Sequence, residues 1–393
     1  MSDEDEWFRE YEAERARAEA LRQAAAPLVE PATRFGAALY RAVCSDAPAD
    51  NQFLSPLSVH MALAMCLEGA AGETRRELER ALHLEEPGSR LAYRQGVRAW
   101  LAARPGPGLS LANALFSRQG LELDDTYRRI LLDVFAAAVH PLDFGRPEDA
   151  CALVNAWAAR KTRGMISELL TPRMLRADLL LILANAVYFK SAWERPFDPE
   201  RTEAGLFHAD SGTDVPADFM HGTLEAQYYE DPQCQLLKLF YQDTFALLIA
   251  LPRAGHALPE LEKRVTSGEE LPYLGSRRVA VFLPRFKMSS SYALQQPLSR
   301  LGVHRLFRND AQLGPMLPRE PRTKLDEALH VARLVVDEEG SEAVAATMLL
   351  AVACAAPSRQ SIPVFRADRP FHFQIRDAVT GLPLFLGRLL QPG

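Results

Sequence analysis

The chain has 393 residues, 48% hydrophobic and 24% charged, with a formal net charge of −6. That is the make-up of a globular protein with a large core, and its acidic balance offers no electrostatic footprint for nucleic acid or anionic lipid, so neither is expected as a partner. No apolar run reaches the roughly 18–20 residues that span a bilayer; the stretches at 179–187 and 348–356 are too short.

The chain opens MSDEDEWFRE, which is acidic and lacks the apolar core of a secretory signal. Residues 3 to 25 are rich in Glu, Arg and Ala, with Trp7, Phe8 and Tyr11 clustered early. They predict a charged helical extension, residues 1–28, ahead of one domain at 29–393. The extension reads as a solvated helix or as a docking arm. Ser55 and Pro56 open a helix that runs to residue 70, with Ser as its cap and Pro at its first position. GAAGET at 69–74 is a turn followed by a second helix start. Arg90, Arg94 and Arg98 fall four apart, so a helix there carries a basic stripe, read either as a solvated face or as a polyanion site.

Residues 154–170 show helical periodicity, whereas Leu181–Phe189 and the segments 234–239, 245–251 and 279–284 read as strands. Several of these are apolar on both faces and are expected to be central. Segments 371–375 and 384–389 bracket a Thr-Gly turn at 380–381, a hairpin signal. No linker or internal repeat divides the chain. The five cysteines, Cys44, Cys66, Cys151, Cys234 and Cys354, are odd in number, widely spaced and without a CxxC. They predict free thiols in a reducing compartment, hence a cytoplasmic protein, with unconventional export as the alternative. GxSxG, HExxH, P-loop and dinucleotide-binding patterns are all missing, so an enzyme is not expected, and no cofactor or metal is implied.

Residues 337–364 have an unusual pattern. Asp337-Glu338-Glu339-Gly340 is a polar breaker, Ser341 to Ala356 carries a single charge at Glu342, and Pro357 to Pro363 has loop chemistry. Placed in a sheet, Ser341, Ala343, Ala345, Thr347, Leu349, Ala351 and Ala353 share one face, all small or apolar, and Glu342 takes the other.

Six ordered segments together resemble the serpin family: NQFLSPLS from Asn51, GAAGET from Gly69, NAVYFK from Asn185 with WERPF from Trp193, LPRFK from Leu283, EEGSEA from Glu338, and FRADRPF from Phe365. The resemblance covers everything after about residue 30. It implies a single-domain α+β fold with about nine helices and three β-sheets, and an exposed reactive-centre loop near the C-terminus. One departure stands out: Phe240 takes the place of a usual Pro before Tyr241, which is expected to loosen a strand edge.

The resemblance further implies a metastable suicide inhibitor of a serine protease, or of a cysteine protease, acting as a monomer. The protease cleaves the loop, and the freed segment joins the central sheet while the acyl-enzyme persists. Burial of the inward side chains and new ladder bonds would supply on the order of 10 kcal/mol. The hinge would be Gly340, Ser341, Ala343, Ala345, Ala346 and Thr347, whose small side chains fit an inhibitor. Family spacing from Glu338 puts the scissile bond at Cys354–Ala355, suiting elastase-like or subtilisin-like pockets. Counting back from Pro370 gives Arg359–Gln360, suiting trypsin-like ones. Trp193, Arg285 and Glu338 match the breach, where insertion starts and where a salt bridge between Arg285 and Glu338 is expected. Ser55, Ser58, Asn185 and His330 match the shutter beneath the sheet. A non-inhibitory serpin, acting as chaperone, carrier or structural protein, is the alternative.

Overall fold

A computed structural model describes residues 3–103, 108–268, 270–319, 323–341 and 361–392. Its α-helices are α1 (Asp3–Asp46), α2 (Pro56–Glu68), α3 (Gly72–Leu82), α4 (Ser89–Ala103), α5 (Asp125–Phe135), α6 (Pro147–Lys161), α7 (Leu258–Thr266) and α8 (Gln295–Arg300). The strands are β1 (Gln52–Leu54), β2 (Leu109–Arg118), β3 (Ala138–Leu142), β4 (Leu181–Phe189), β5 (Ser191–Ala192), β6 (Glu203–His208), β7 (Asp214–Glu230) and β8 (Cys234–Phe240). They continue with β9 (Phe245–Pro252), β10 (Gly275–Pro284), β11 (Phe286–Ala293), β12 (Glu327–Val336), β13 (Gly340–Ser341), β14 (Val364–Arg366), β15 (Phe371–Asp377) and β16 (Pro383–Leu389).

The strands form three sheets in one α+β body. Five make the central sheet, in the order β11-β12-β4-β2-β3. β4 and β12 run parallel at its centre, with His330 opposite Asn185. Every residue of β4 is buried, as its two-sided apolar sequence requires. The nine-stranded sheet runs β1-β16-β15-β9-β8-β7-β10-β14, with β6 on β7, and β13 with β5 makes the third. The hairpin read at 371–389 is present as β15 and β16, paired antiparallel.

Helix α2 begins as its sequence dictates. Ser55 is extended, its Oγ accepts from the Ser58 N–H at 3.4 Å, and Pro56 occupies the first turn. Helix α1 differs from the sequence reading, because it continues unbroken through Pro27 and Pro31 to Asp46. Each proline removes one backbone donor, but Ala25, Leu28, Ala32, Phe35 and Leu39 are fully buried along one stripe, and that packing holds the helix together. Helix α6 stops short of the predicted residue 170. Arg163 and Gly164 both have positive φ (55° and 81°) and turn the chain out of the helix. Phe240 does not loosen its strand edge: it closes β8 in register opposite Ala246, and its carbonyl accepts from the Glu194 N–H at 2.9 Å.

Candidate functional site

The structure brings together Ser55, Ser58, Asn185 and His330, from α2, β4 and β12, in a fully buried polar cluster. The Ser55 N–H donates to His330 Nε2 at 3.0 Å. A backbone amide can only donate, so Nε2 accepts and the ring proton sits on Nδ1, from which it is donated to Asn185 Oδ1. The Ser58 hydroxyl donates to the same oxygen at 2.5 Å, and Asn185 Nδ2 donates to Asn113 Oδ1 at 2.6 Å. Ser55 Oγ donates to the Leu384 carbonyl at 2.7 Å, tying the cluster to β16. Burial pushes the His330 pKa down to about 3, so the imidazole is neutral. The network therefore crosses the line between β4 and β12. It satisfies buried polar groups only while those strands lie side by side.

At one end of that line, the turn after β12 is held from three sides. Arg285 donates through Nε to both Glu338 oxygens, at 2.7 and 2.9 Å, and Thr202 donates to Glu338 Oε1. Burial pushes the Glu338 carboxyl up, but the bonds from Arg285 and Thr202 outweigh it and leave it below its ordinary value. Trp193 lies under the turn, stacked on Tyr241 with ring centres 4.3 Å apart. Its Nε1 donates to the Asp337 carbonyl and its backbone N–H to the Glu339 carbonyl, both at 2.9 Å. The Asp337 carboxylate accepts from the Glu339 and Gly340 N–H groups at 3.1 and 3.3 Å, forming a tight Asx turn.

That turn reverses the chain. Gly340 and Ser341 pair antiparallel with Ala192 and Ser191, at the end of β4. Gly340 has φ 145°, and a Cβ there would fall 2.3 Å from the Ser191 carbonyl oxygen, so only glycine fits. Ser341 is fully buried, and its Oγ hydrogen-bonds the Tyr241 hydroxyl at 3.0 Å. At Ser341 the chain therefore runs antiparallel to β5, back toward the end of β4.

Ala343, Ala345, Ala346, Thr347, Cys354, Ala355, Arg359 and Gln360 lie outside the described residues. The arginine stripe on α4 is largely spoken for. Arg90 pairs with Glu68 at 2.9 Å and Arg94 with the same carboxylate at 3.5 Å, which leaves Arg98 as its exposed member. Cys44, Cys66, Cys151 and Cys234 are free and buried. Sequence reasoning missed Asn113, Thr202, Ser191 and Tyr241 as members of these clusters. Asn113 carried a signal, a lone amide inside the apolar strand LSLANALF. Thr202 and Ser191 carried none.

The site is therefore a five-stranded sheet with a buried polar cluster across its central pair of strands and a chain that turns back at one end of that pair. The serpin family profile, serine protease inhibitor, matches residues 30–392. The chain is 34% identical over 375 residues to the leukocyte elastase inhibitor of Bos taurus, covering 92% of this chain and 98% of that one. Among solved structures, Serpin48 of Tenebrio molitor superposes with a TM-score of 0.83 at 28% identity, covering 92% and 97% of the two chains. Human thyroxine-binding globulin in complex with its hormone superposes at 0.80 with 26% identity, covering 93% and 99%. The chain belongs to the serpin family.

Proposed function

We propose that this serpin is an inhibitor that traps its target protease by cleavage and insertion of the loop that follows Ser341. The observation that carries the reading is the strand arrangement: β4 and β12 are parallel neighbours, and Gly340–Ser341 already runs antiparallel to the end of that seam. A segment continuing from Ser341 would lie antiparallel to both neighbours. One parallel ladder would be exchanged for two antiparallel ones, which pair slightly better per residue. Insertion from this point would bury Ala343, Ala345, Thr347 and Leu349 on the face that Ser341 already turns inward, and Glu342 would face outward. No charge or proline would have to enter the sheet interior.

Trp193, Arg285 and Glu338 serve as the breach, which positions the hinge, and Ser55, Ser58, Asn185 and His330 as the shutter, which must open for the strand to pass. The bond offered is Cys354–Ala355, with a small, uncharged approach Val352-Ala353-Cys354 that suits an elastase-like or subtilisin-like pocket. Arg359–Gln360 is the second candidate. It would carry Pro357 into the inserting segment and delay insertion relative to deacylation. The native state is then kinetically held, with the loop outside the sheet. Four free, buried thiols support a reducing compartment and a cytoplasmic setting.

Mixing the protein with elastase-like, subtilisin-like and trypsin-like proteases should give a complex that survives denaturing electrophoresis, and N-terminal sequencing of the released peptide should begin at Ala355. The relative that binds thyroxine supplies the rival reading of a carrier. Loop digestion by every protease, with no stable complex from any, would decide for that reading.

A further inference from the structure

We propose that the N-terminal half of α1 is a self-association arm, and that two copies of this chain pair through it as an antiparallel helix pair. Helix α1 is bound to the body by one stripe, in which Ala25, Leu28, Ala32, Phe35 and Leu39 are fully buried at alternating spacings of three and four. The same spacing, carried back toward the N-terminus, falls on Leu21, Ala18, Glu14, Tyr11 and Trp7. Leu21 still packs against the body and Ala18 is half-buried, but from Glu14 onward the stripe has lost its cover, with Trp7 64% exposed and Tyr11 51% exposed, and their rings stacked 5.7 Å apart. Phe8, 55% exposed, flanks them. Large aromatic side chains on a seam that further along is a core contact call for a partner.

The occupant is a second copy because the arm is complementary to itself when reversed. In antiparallel packing, Trp7 of one arm faces Ala18 of the other, large against small, and Tyr11 faces Glu14, where its hydroxyl can donate to the carboxylate. The two-fold axis repeats each layer, so an isologous contact results. On one flank Glu10 meets Arg17 of the second copy, and symmetry supplies the same ion pair again. On the other flank Phe8 meets Arg15, a cation–π geometry. Glu10, Arg15 and Arg17 are all exposed, and neither Glu10 nor Arg17 makes an ion pair within the chain among the described residues. A parallel pairing would keep an ion pair, Glu10 with Arg15 of the second copy, but it would set Glu14 against Glu14 on the seam and Arg17 against Arg22 on the flank. The arm grows from a helix already nucleated by the body, so the entropic cost that makes isolated short helices marginal has been met. In the reversed register the tip of each arm reaches as far as Arg22 of the other, which donates to the Val379 carbonyl and marks the start of the body.

The test uses the full chain in sedimentation velocity from about 1 to 200 μM, a range that brackets the weak affinity of so small an interface. Wild type should shift from monomer to dimer across that range. Glu10→Arg and Arg17→Glu each convert both cross-pairs to like charges and should weaken association about tenfold. In an equimolar mixture of the two variants, a mixed dimer again sets opposite charges against each other at both cross-pairs, one in its native order and one reversed, and should regain the wild-type association. Both substitutions are at exposed positions, and unchanged melting curves will show that the body is intact. A wild type that stays monomeric throughout overturns the proposal, as do single variants that associate as wild type does, or a mixture no tighter than its components.

Discussion

Replacing Gly340 by alanine isolates the contact on which the hinge depends. The added Cβ would meet three backbone atoms: the Ser191 oxygen at 2.3 Å, the Ala192 Cα at 2.6 Å and the Trp193 nitrogen at 2.8 Å. No flexible side chain can yield, and φ of 145° is itself a conformation that alanine resists, at about 1–3 kcal/mol. The cheaper escape is for residues 340–341 to leave β5. That loses the pairing with Ala192 and Ser191 and the Ser341–Tyr241 bond, two or three hydrogen bonds at about 1 kcal/mol each. Either route destabilises the native protein by about 2–4 kcal/mol. The same crowding would meet the inserted strand, so insertion slows and more loops are hydrolysed before the protease is trapped. Urea denaturation reads the first effect, and titration of active protease, counting inhibitors consumed per enzyme inactivated, reads the second. A wild-type urea midpoint together with unchanged titration would refute the reasoning.

Ala343→Arg places a charge on the inward face of the inserting segment and should turn the inhibitor into a substrate, with full cleavage and no stable complex; retained trapping removes the alternation argument. Glu338→Gln keeps the shape but loses the ion pair with Arg285, and should destabilise by about 1–3 kcal/mol in urea at neutral pH. Because the Glu338 carboxyl is held below its ordinary value, its contribution is present above the unfolded carboxylate range and fades as pH falls through the folded value. The variant and wild type should therefore converge in acid. His330 and His60 are buried and neutral, each pushed down to about 3, whereas the unfolded chain takes up these protons below about 6.5. Stability from these groups is complete above about 6.5 and is lost as pH falls toward 3, and His330→Gln should flatten that slope in melts across the window.

Much of this was legible in the sequence because local signals and tertiary placement agreed. The Ser55-Pro56 start of α2 and the unbroken apolar run of β4 each state their environment in a few residues. The resemblance to serpins, and not the residues by themselves, named Ser55, Ser58, Asn185 and His330 as one group. Longer-range packing overrode local chemistry elsewhere. Pro27 and Pro31 each remove a backbone donor, yet the buried stripe from Ala25 to Leu39 keeps α1 continuous. The periodicity that continued past Lys161 lost to two left-handed residues. The arginines at 90 and 94 looked like a free stripe because the carboxylate that neutralises them, Glu68, arrives from a different helix. Thr202 and Ser191 were invisible for the same reason: nothing in a lone hydroxyl announces which strand end it will face.

The central claim is that the segment after Ser341 lowers its free energy by entering the seam between β4 and β12 once it is cut. Calorimetry of the intact protein beside the same protein nicked in that loop measures this directly. The account predicts that the nicked form melts at a markedly higher temperature than the intact one. Equal or lower melting of the nicked form would mean that insertion releases nothing, and the inhibitory mechanism would be contradicted.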